Sequence, residues 1–210
     1  MRIERQSRTR DQERGVQEDI EALEASVVRE GPVCSPDCPR ARPNSCFRHC
    51  PHIPLILTSD PVNEPLEQRI APLVFELKKL GAFCPCWSCE GHLGPDGKLW
   101  KLPAIWFFAR SVVHVRLLAD TVQDMIAERL LNAHWHVRVC YSDRDNSDTA
   151  FSLEPRPSET PLQLTLFHKD IDIMAAQIEK RILKRCREMR CSLDEPRVTQ
   201  SACSAAKTQF

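Results

Sequence analysis

His134-Trp135-His136-Val137-Arg138-Val139-Cys140-Tyr141 alternates apolar and polar residues with a period of two. This pattern predicts a strand with Trp135, Val137, Val139 and Tyr141 on one face and His134, His136, Arg138 and Cys140 on the other. A strand with one apolar face fits an antiparallel sheet covered on one side. The flanking sequence agrees. Upstream, Ser111 caps a predicted helix over 112–132, with Val115, Leu118, Ala119, Val122, Met125, Ile126 and Leu130 as its apolar face. Downstream come a polar turn over 143–148 and a short strand over 150–154. Residues 162–166 read as a further strand. A last helix over 171–189 points Ile171, Met174, Ile178, Ile182 and Cys186 inward.

Further toward the N-terminus, Leu66, Ile70, Leu73, Leu77 and Leu80 recur at helical spacing, and Gly81 stops the pattern. Pro72 lies inside it and marks either a kink or the true start. Residues 82–88 read as a strand. Gly94-Pro95-Asp96-Gly97 is a turn signal, and 102–109 is a buried-strand run that pairs with 82–88 in a long-looped hairpin. Strands and helices in this order predict an α+β fold: a two-layer sandwich of a mainly antiparallel sheet and about three helices. Residues 1–30 carry Val16, Ile20, Leu23 and Val27 as the stripe of a short amphipathic helix, packed on the body or a frayed arm. Residues 31–62 are Cys/Pro-rich, 63–190 form the body and 191–210 a loose tail.

The chain has 210 residues, with 29 Lys+Arg against 29 Asp+Glu, so a global polyanion binder is disfavoured while a local basic patch is not. With 6 Gly, neither a dinucleotide-binding nor a P-loop glycine pattern exists. No apolar stretch follows the basic residues at the start, and the longest apolar run is far too short to span a bilayer. The expectation is a cytoplasmic protein, where thiols stay reduced. Its 11 Cys then point to metal binding or catalysis more than to disulfides.

Two cysteine groups carry the chemistry. Cys34 and Cys38, then Cys46 and Cys50, form two pairs that each enclose three residues, separated by seven. Four thiolates so spaced suit a tetrahedral Zn2+, with His49 and His52 as spare nitrogens. An iron–sulfur cluster takes the same ligands. The alternative is a Cys-bearing linker. The second group is Phe83-Cys84-Pro85-Cys86-Trp87-Ser88-Cys89-Glu90-Gly91-His92. Here Cys89 is a candidate nucleophile with His92 as base and Glu90 orienting or donating. Equally, Cys89 and His92 are candidate ligands of a metal with an open position. The bland reading is packing, with Gly91 making the turn.

Trp87-Ser88-Cys89-Glu90-Gly91-His92, after a helix and before an apolar strand, resembles a Ser-Cys-Glu-Gly-His motif of uncharacterised bacterial proteins. It is also similar to the wybutosine-synthesis tRNA methyltransferase family, which has Ser-Cys-Ser-Gly-Arg in a comparable strand-to-turn context. Ser88, Cys89 and Gly91 match that pattern, while Glu90 and His92 depart from it, and the missing Arg removes a phosphate or carboxylate partner. The resemblance spans some six residues and implies S-adenosylmethionine or tRNA as ligands.

Other features have plainer readings. His134, His136 and Arg138, with His92 and Glu154, would make a His-rich pocket if brought together, but a solvated strand face is favoured. His114 reads as a satisfied half-buried histidine. Asp143, Asp145 and Asp148 lack the Gly and closing Glu of a calcium loop. Trp100, Trp106 and Trp135 read as core or rim. The basic run Lys180, Arg181, Lys184, Arg185, Arg187 and Arg190 reads as the wet face of the last helix, or as a nucleic-acid-facing surface. The leading expectation is a zinc-binding protein. An enzyme built on Cys89 and His92 is the alternative, and a nucleic-acid-associated protein the third.

Overall fold

The computed structural model of the chain describes residues 10–27, 66–142, 149–157 and 162–194. In order these form α1 (Arg10–Ser26), α2 (Ala71–Lys79), β1 (Phe83–Cys89), β2 (His92–Leu93), β3 (Leu99–Lys101), β4 (Ala104–Ala109), α3 (Val112–Ala127), β5 (Trp135–Ser142), β6 (Thr149–Pro155) and α4 (Leu164–Asp194). Strands β1, β4, β6 and β5 make a four-stranded sheet in that order, antiparallel throughout, and β2 and β3 form a separate two-stranded ribbon. The fold is the α+β sandwich that the pattern predicts. Among the described residues no helix is long and apolar enough to cross a membrane.

One face of the sheet meets the helices. Phe83, Ile105, Phe107, Trp135 and Leu153 enter a single core with Leu73 and Leu77 of α2, Leu117, Leu118, Val122 and Met125 of α3, and Ile171, Met174, Ile178, Ile182 and Cys186 of α4. The helix α1 is part of this body. Its Ile20 and Leu23 are fully buried, and Ser26 Oγ donates to Leu80 O at 2.8 Å.

Pro72 is the true start of α2 and introduces no kink, because it occupies the first turn, where its missing N–H leaves no bond unmade. Helix α3 ends at Ala127, short of the expected 132. Arg129 takes a left-handed conformation (φ 59°), and Leu130 N–H reaches back to Met125 O at 3.0 Å. A non-glycine residue there hides the stop from a sequence reading. Leu118, Val122 and Met125 are buried as expected, and the buried face of α3 extends to His114, Leu117 and Thr121, leaving Val115 and Ala119 only half-buried at its edge. Residues 162–166 do not form a strand: α4 begins at Leu164, because Phe167 extends the stripe of Ile171 and Met174 backwards. The helix also runs past 189, to Asp194. In β5 the alternation is broken by a register shift between Val139 and Tyr141.

Ser111 caps α3 as its sequence position predicts, accepting from Val113 N–H at 3.0 Å. Its hydroxyl also donates to Asp19 Oδ2 at 2.8 Å, and His114 Nε2–H donates to Asp19 O at 2.8 Å. One residue therefore caps α3 and ties it to α1. Ser111→Ala is expected to cost about 1–2 kcal/mol in a urea titration, at the upper end of lost helix caps, because the tie goes with the cap. A loss under about 0.3 kcal/mol would show that the hydroxyl is idle.

Three cations of the basic run on α4 are spent on ion pairs with other elements. Arg181 grips Glu128 through two bonds of 2.9 and 2.7 Å, Arg185 grips Asp124, and Arg190 reaches Glu24 of α1. These three cations lace α4 to the region of α3 and to α1, while Lys184 stays largely exposed and pairs with Glu188 along the helix, as a wet face does.

Candidate metal centre

The end of β1 is built by three segments. Cys89 is the last residue of β1, paired with Ala104 of β4. Gly91 turns the chain with φ +88°, and His92 opens β2, paired with Lys101 of β3. From the other side comes the turn before α2, carrying Glu67. One ligand atom each from Glu67, Cys89 and His92 lies within 4.8 Å of the others. No other group of three such residues converges in this way among the described residues.

Each side chain is held. His92 Nε2 lies 2.9 Å from Glu67 Oε1. The second carboxylate oxygen of Glu67 accepts from Glu90 N–H at 2.5 Å. In return Glu90 Oε2 accepts from Arg69 N–H at 2.7 Å, so the Glu90 segment and the turn carrying Glu67 and Arg69 are tied by two carboxylate–backbone bonds. His168 of α4 donates from Nε2 to Glu90 O at 3.0 Å. Cys89 is buried, 2% exposed, and its Sγ accepts from Gly91 N–H at 3.4 Å. Burial pushes the Cys89 thiol above its ordinary range, and the charges of Glu67 and Glu90 add to this against the Gly91 N–H and Lys101.

The structure thus brings Cys89 and His92 together, as the motif suggests, and adds Glu67. The side chain of Glu90 is turned to Arg69, and its backbone serves Glu67 and His168. Cys84 and Cys86, both exposed, do not join the group. The Cys86 thiol is itself raised, chiefly by burial and then by Cys140 and Cys84. Cys34, Cys38, Cys46 and Cys50 lie outside the described residues. The His-rich pocket does not form: Arg138 Nη2 pairs with Glu154 Oε1 at 2.7 Å, His136 stands in register with Glu154, and His92 is held by Glu67.

Glu67 and His168 are the residues that sequence reasoning misses. Glu67 precedes Cys89 by 22 positions across a helix, and no spacing rule joins them. The one available signal is an acidic residue just ahead of a proline-started helix. Comparison of the chain with protein-family models, with curated proteins and with solved structures gives no match.

Proposed function

We propose that the chain is a metal-binding protein that holds one zinc ion on Glu67, Cys89 and His92, with a fourth position left to water. The observation that carries this is the convergence of a thiol, an imidazole and a carboxylate within 4.8 Å. Zinc accepts all three ligand types, and its tetrahedral ligands lie roughly 3.5 Å apart. Binding then needs movement of about an ångström, with the 2.9 Å His92–Glu67 contact opening slightly. The bond from Glu90 N–H orients the carboxylate, and that from Gly91 N–H supports the thiolate, as outer partners of metal ligands do. Three protein ligands and one open position are the layout of a catalytic zinc, which acidifies its bound water.

The His92–Glu67 contact also suits a second reading, with Cys89 as nucleophile, His92 as base and Glu67 orienting it. A buried thiol with a raised pKa is a poor nucleophile. A bound cation removes that proton outright, which favours the metal. Cys34, Cys38, Cys46 and Cys50 are proposed as a second, structural zinc site, an iron–sulfur cluster being the other group these ligands accept. A reducing cytoplasm is the compartment that keeps such thiols free for metal.

The test is zinc titration against a competing chelator, with Co2+ spectra to report thiolate ligands. Cys89→Ser and His92→Ala are expected to weaken one site more than tenfold, in line with the loss of a ligand or its partner. The variant with Cys34→Ser, Cys38→Ser, Cys46→Ser and Cys50→Ser keeps that site. Affinity there should fall as pH is lowered, since the ion must displace the Cys89 proton. Unchanged binding in Cys89→Ser would end the metal reading of this site. Alkylation of Cys89 in the metal-free chain faster than a free thiol at neutral pH would transfer the site to the nucleophile reading.

A further inference from the structure

The face of the sheet turned away from the helices carries an aromatic row. Trp87 of β1 and Trp106 of β4 oppose each other with ring centroids 4.9 Å apart, and Phe108 follows two positions along β4. These three side chains are 39%, 38% and 38% exposed. A contiguous exposed apolar patch of this kind marks a binding surface. Cations stand at both margins. Lys101 Nζ lies 4.7 Å from the centroid of the Trp87 ring. On the far side the register runs from Trp106 through Ser152 of β6 to Arg138 of β5, with Glu154 and His136 one step along. His136 sits in the fields of Arg138 and Arg156, and its pKa is lowered by burial first and by those charges after it, against Glu154. Between the margins, Ser152 is fully buried, and among the described residues neither its Oγ nor His136 Nδ1 has a hydrogen-bond partner. Buried polar atoms without partners are rare and call for a group to satisfy them.

We propose that this face binds a single-stranded nucleic acid, with bases stacked on Trp106, on Phe108 and, once Lys101 swings from over its ring to a phosphate, on Trp87, and with Arg138 meeting a second phosphate. The combination selects the ligand. Exposed aromatic rings take the π-face of any base, and flanking cations take the backbone. A duplex hides its base faces. The cations of α4 do not compete for this role, because α4 packs against the opposite face of the sheet, and Arg138, although paired with Glu154, keeps 58% of its side chain exposed. By strand alternation Cys89 lies on the same face as Trp87, so the candidate metal centre borders the platform. The proposal rests on the aromatic row and its margins, and stands whether or not zinc binds beside it.

The test uses the full chain as purified. Labelled oligo(U) RNA and oligo(dT) DNA of about 12 nucleotides, within the usual footprint of such platforms, are titrated at about 50 mM salt beside a DNA duplex of equal length. Fluorescence anisotropy and tryptophan emission are read together. Both single strands are expected to bind and quench tryptophan, and the duplex to bind at least tenfold more weakly. Trp106→Ala should weaken binding tenfold or more, and Trp106→Phe should restore most of it. Lys101→Gln should flatten the salt dependence by about 0.7 in slope, one phosphate contact on a single strand. Circular dichroism checks that each variant is folded, and Lys101→Glu replaces Trp106→Ala if that variant is not. No binding, equal binding of the duplex, or binding untouched by these variants overturns the proposal. So does a dimer that Trp106→Ala dissolves in a chain that ignores every oligonucleotide, which would give the face to a second copy.

Discussion

Asp170→Ala is expected to cost on the order of 4 kcal/mol, the largest effect of any single change argued for this chain. Asp170 is fully buried in α4 and serves four donors. Its Oδ1 accepts from Asn132 N–H at 2.8 Å and from Asn132 Nδ2 at 2.7 Å. Its Oδ2 accepts from Ala133 N–H and from Trp135 Nε1–H, both at 2.9 Å. The carboxylate therefore stitches the α3–β5 connection to α4 and orients the largest side chain of the core. Truncation leaves the Ala133 and Trp135 donors buried with nothing to bond, at roughly 1–3 kcal/mol each, and more where the lost acceptor is charged. For a chain of this size about 4 kcal/mol lowers Tm by roughly 8–16 °C. Asp170→Asn, which keeps one acceptor and turns an amide against the other donors, should fall between. Urea unfolding followed by far-UV circular dichroism reads the loss, and near-UV signal reads Trp135. A cost below about 1 kcal/mol would mean that water replaces the carboxylate.

Asp170 also shows where a sequence reading stops. The stripe of Ile171, Met174, Ile178, Ile182 and Cys186 gives the inward face of α4 from spacing alone, and all five are fully buried. The same periodicity says nothing of the acid just before it, because its partners lie some 35–38 positions upstream. Short-range rules performed well where the cause is local. The Ser111 cap, the Pro72 start and the antiparallel pairing of β1 with β4 follow from neighbours in sequence. They failed where packing overrides them. Residues 162–166 alternate like a strand, yet five residues of alternation yield to a helical stripe continued by Phe167. Helix α3 turns His114 inward because α1 supplies it the Asp19 carbonyl, a partner that no local pattern announces.

The candidate site divides in the same way. Cys89, Gly91 and His92 are legible because a thiol, a turn glycine and an imidazole stand within four residues at a strand end. Glu67 is not, since the fold alone brings the turn before α2 against that strand end. The aromatic face is half legible. Strand alternation places Trp106 and Phe108 on one side of β4, but only the sheet order, with β1 at the edge beside β4, sets Trp87 against Trp106. Reading Trp106 as core or rim misses this, because the period of a strand does not say which of its faces the helices cover.

Gly91→Ala should cost about 2–4 kcal/mol and weaken the Cys89 site with it. Two effects add. At φ +88° a side chain is strained, at about 1–2 kcal/mol for a residue outside its allowed region. A Cβ there would also lie 2.8 Å from Leu164 Cδ1, 3.0 Å from Pro103 Cδ and 3.2 Å from Lys101 O. The tip of Leu164 can swing aside, but the Pro103 ring and the Lys101 carbonyl belong to the chain that carries β3 into β4, so the turn itself must move. That shift takes Gly91 N–H away from Cys89 Sγ, removing the bond that eases its thiolate, and loosens the clasp between Glu90 and Glu67. Zinc affinity should fall along with stability. Gly97→Ala separates strain from crowding. Gly97 also has positive φ, +74°, but a Cβ there meets nothing within 4 Å. It should cost only the conformational term, about 1 kcal/mol, and leave zinc binding alone. Equal losses for the two substitutions in urea unfolding would mean that the turn at Gly91 yields freely, and that its close packing against Pro103 does not hold the candidate centre in place.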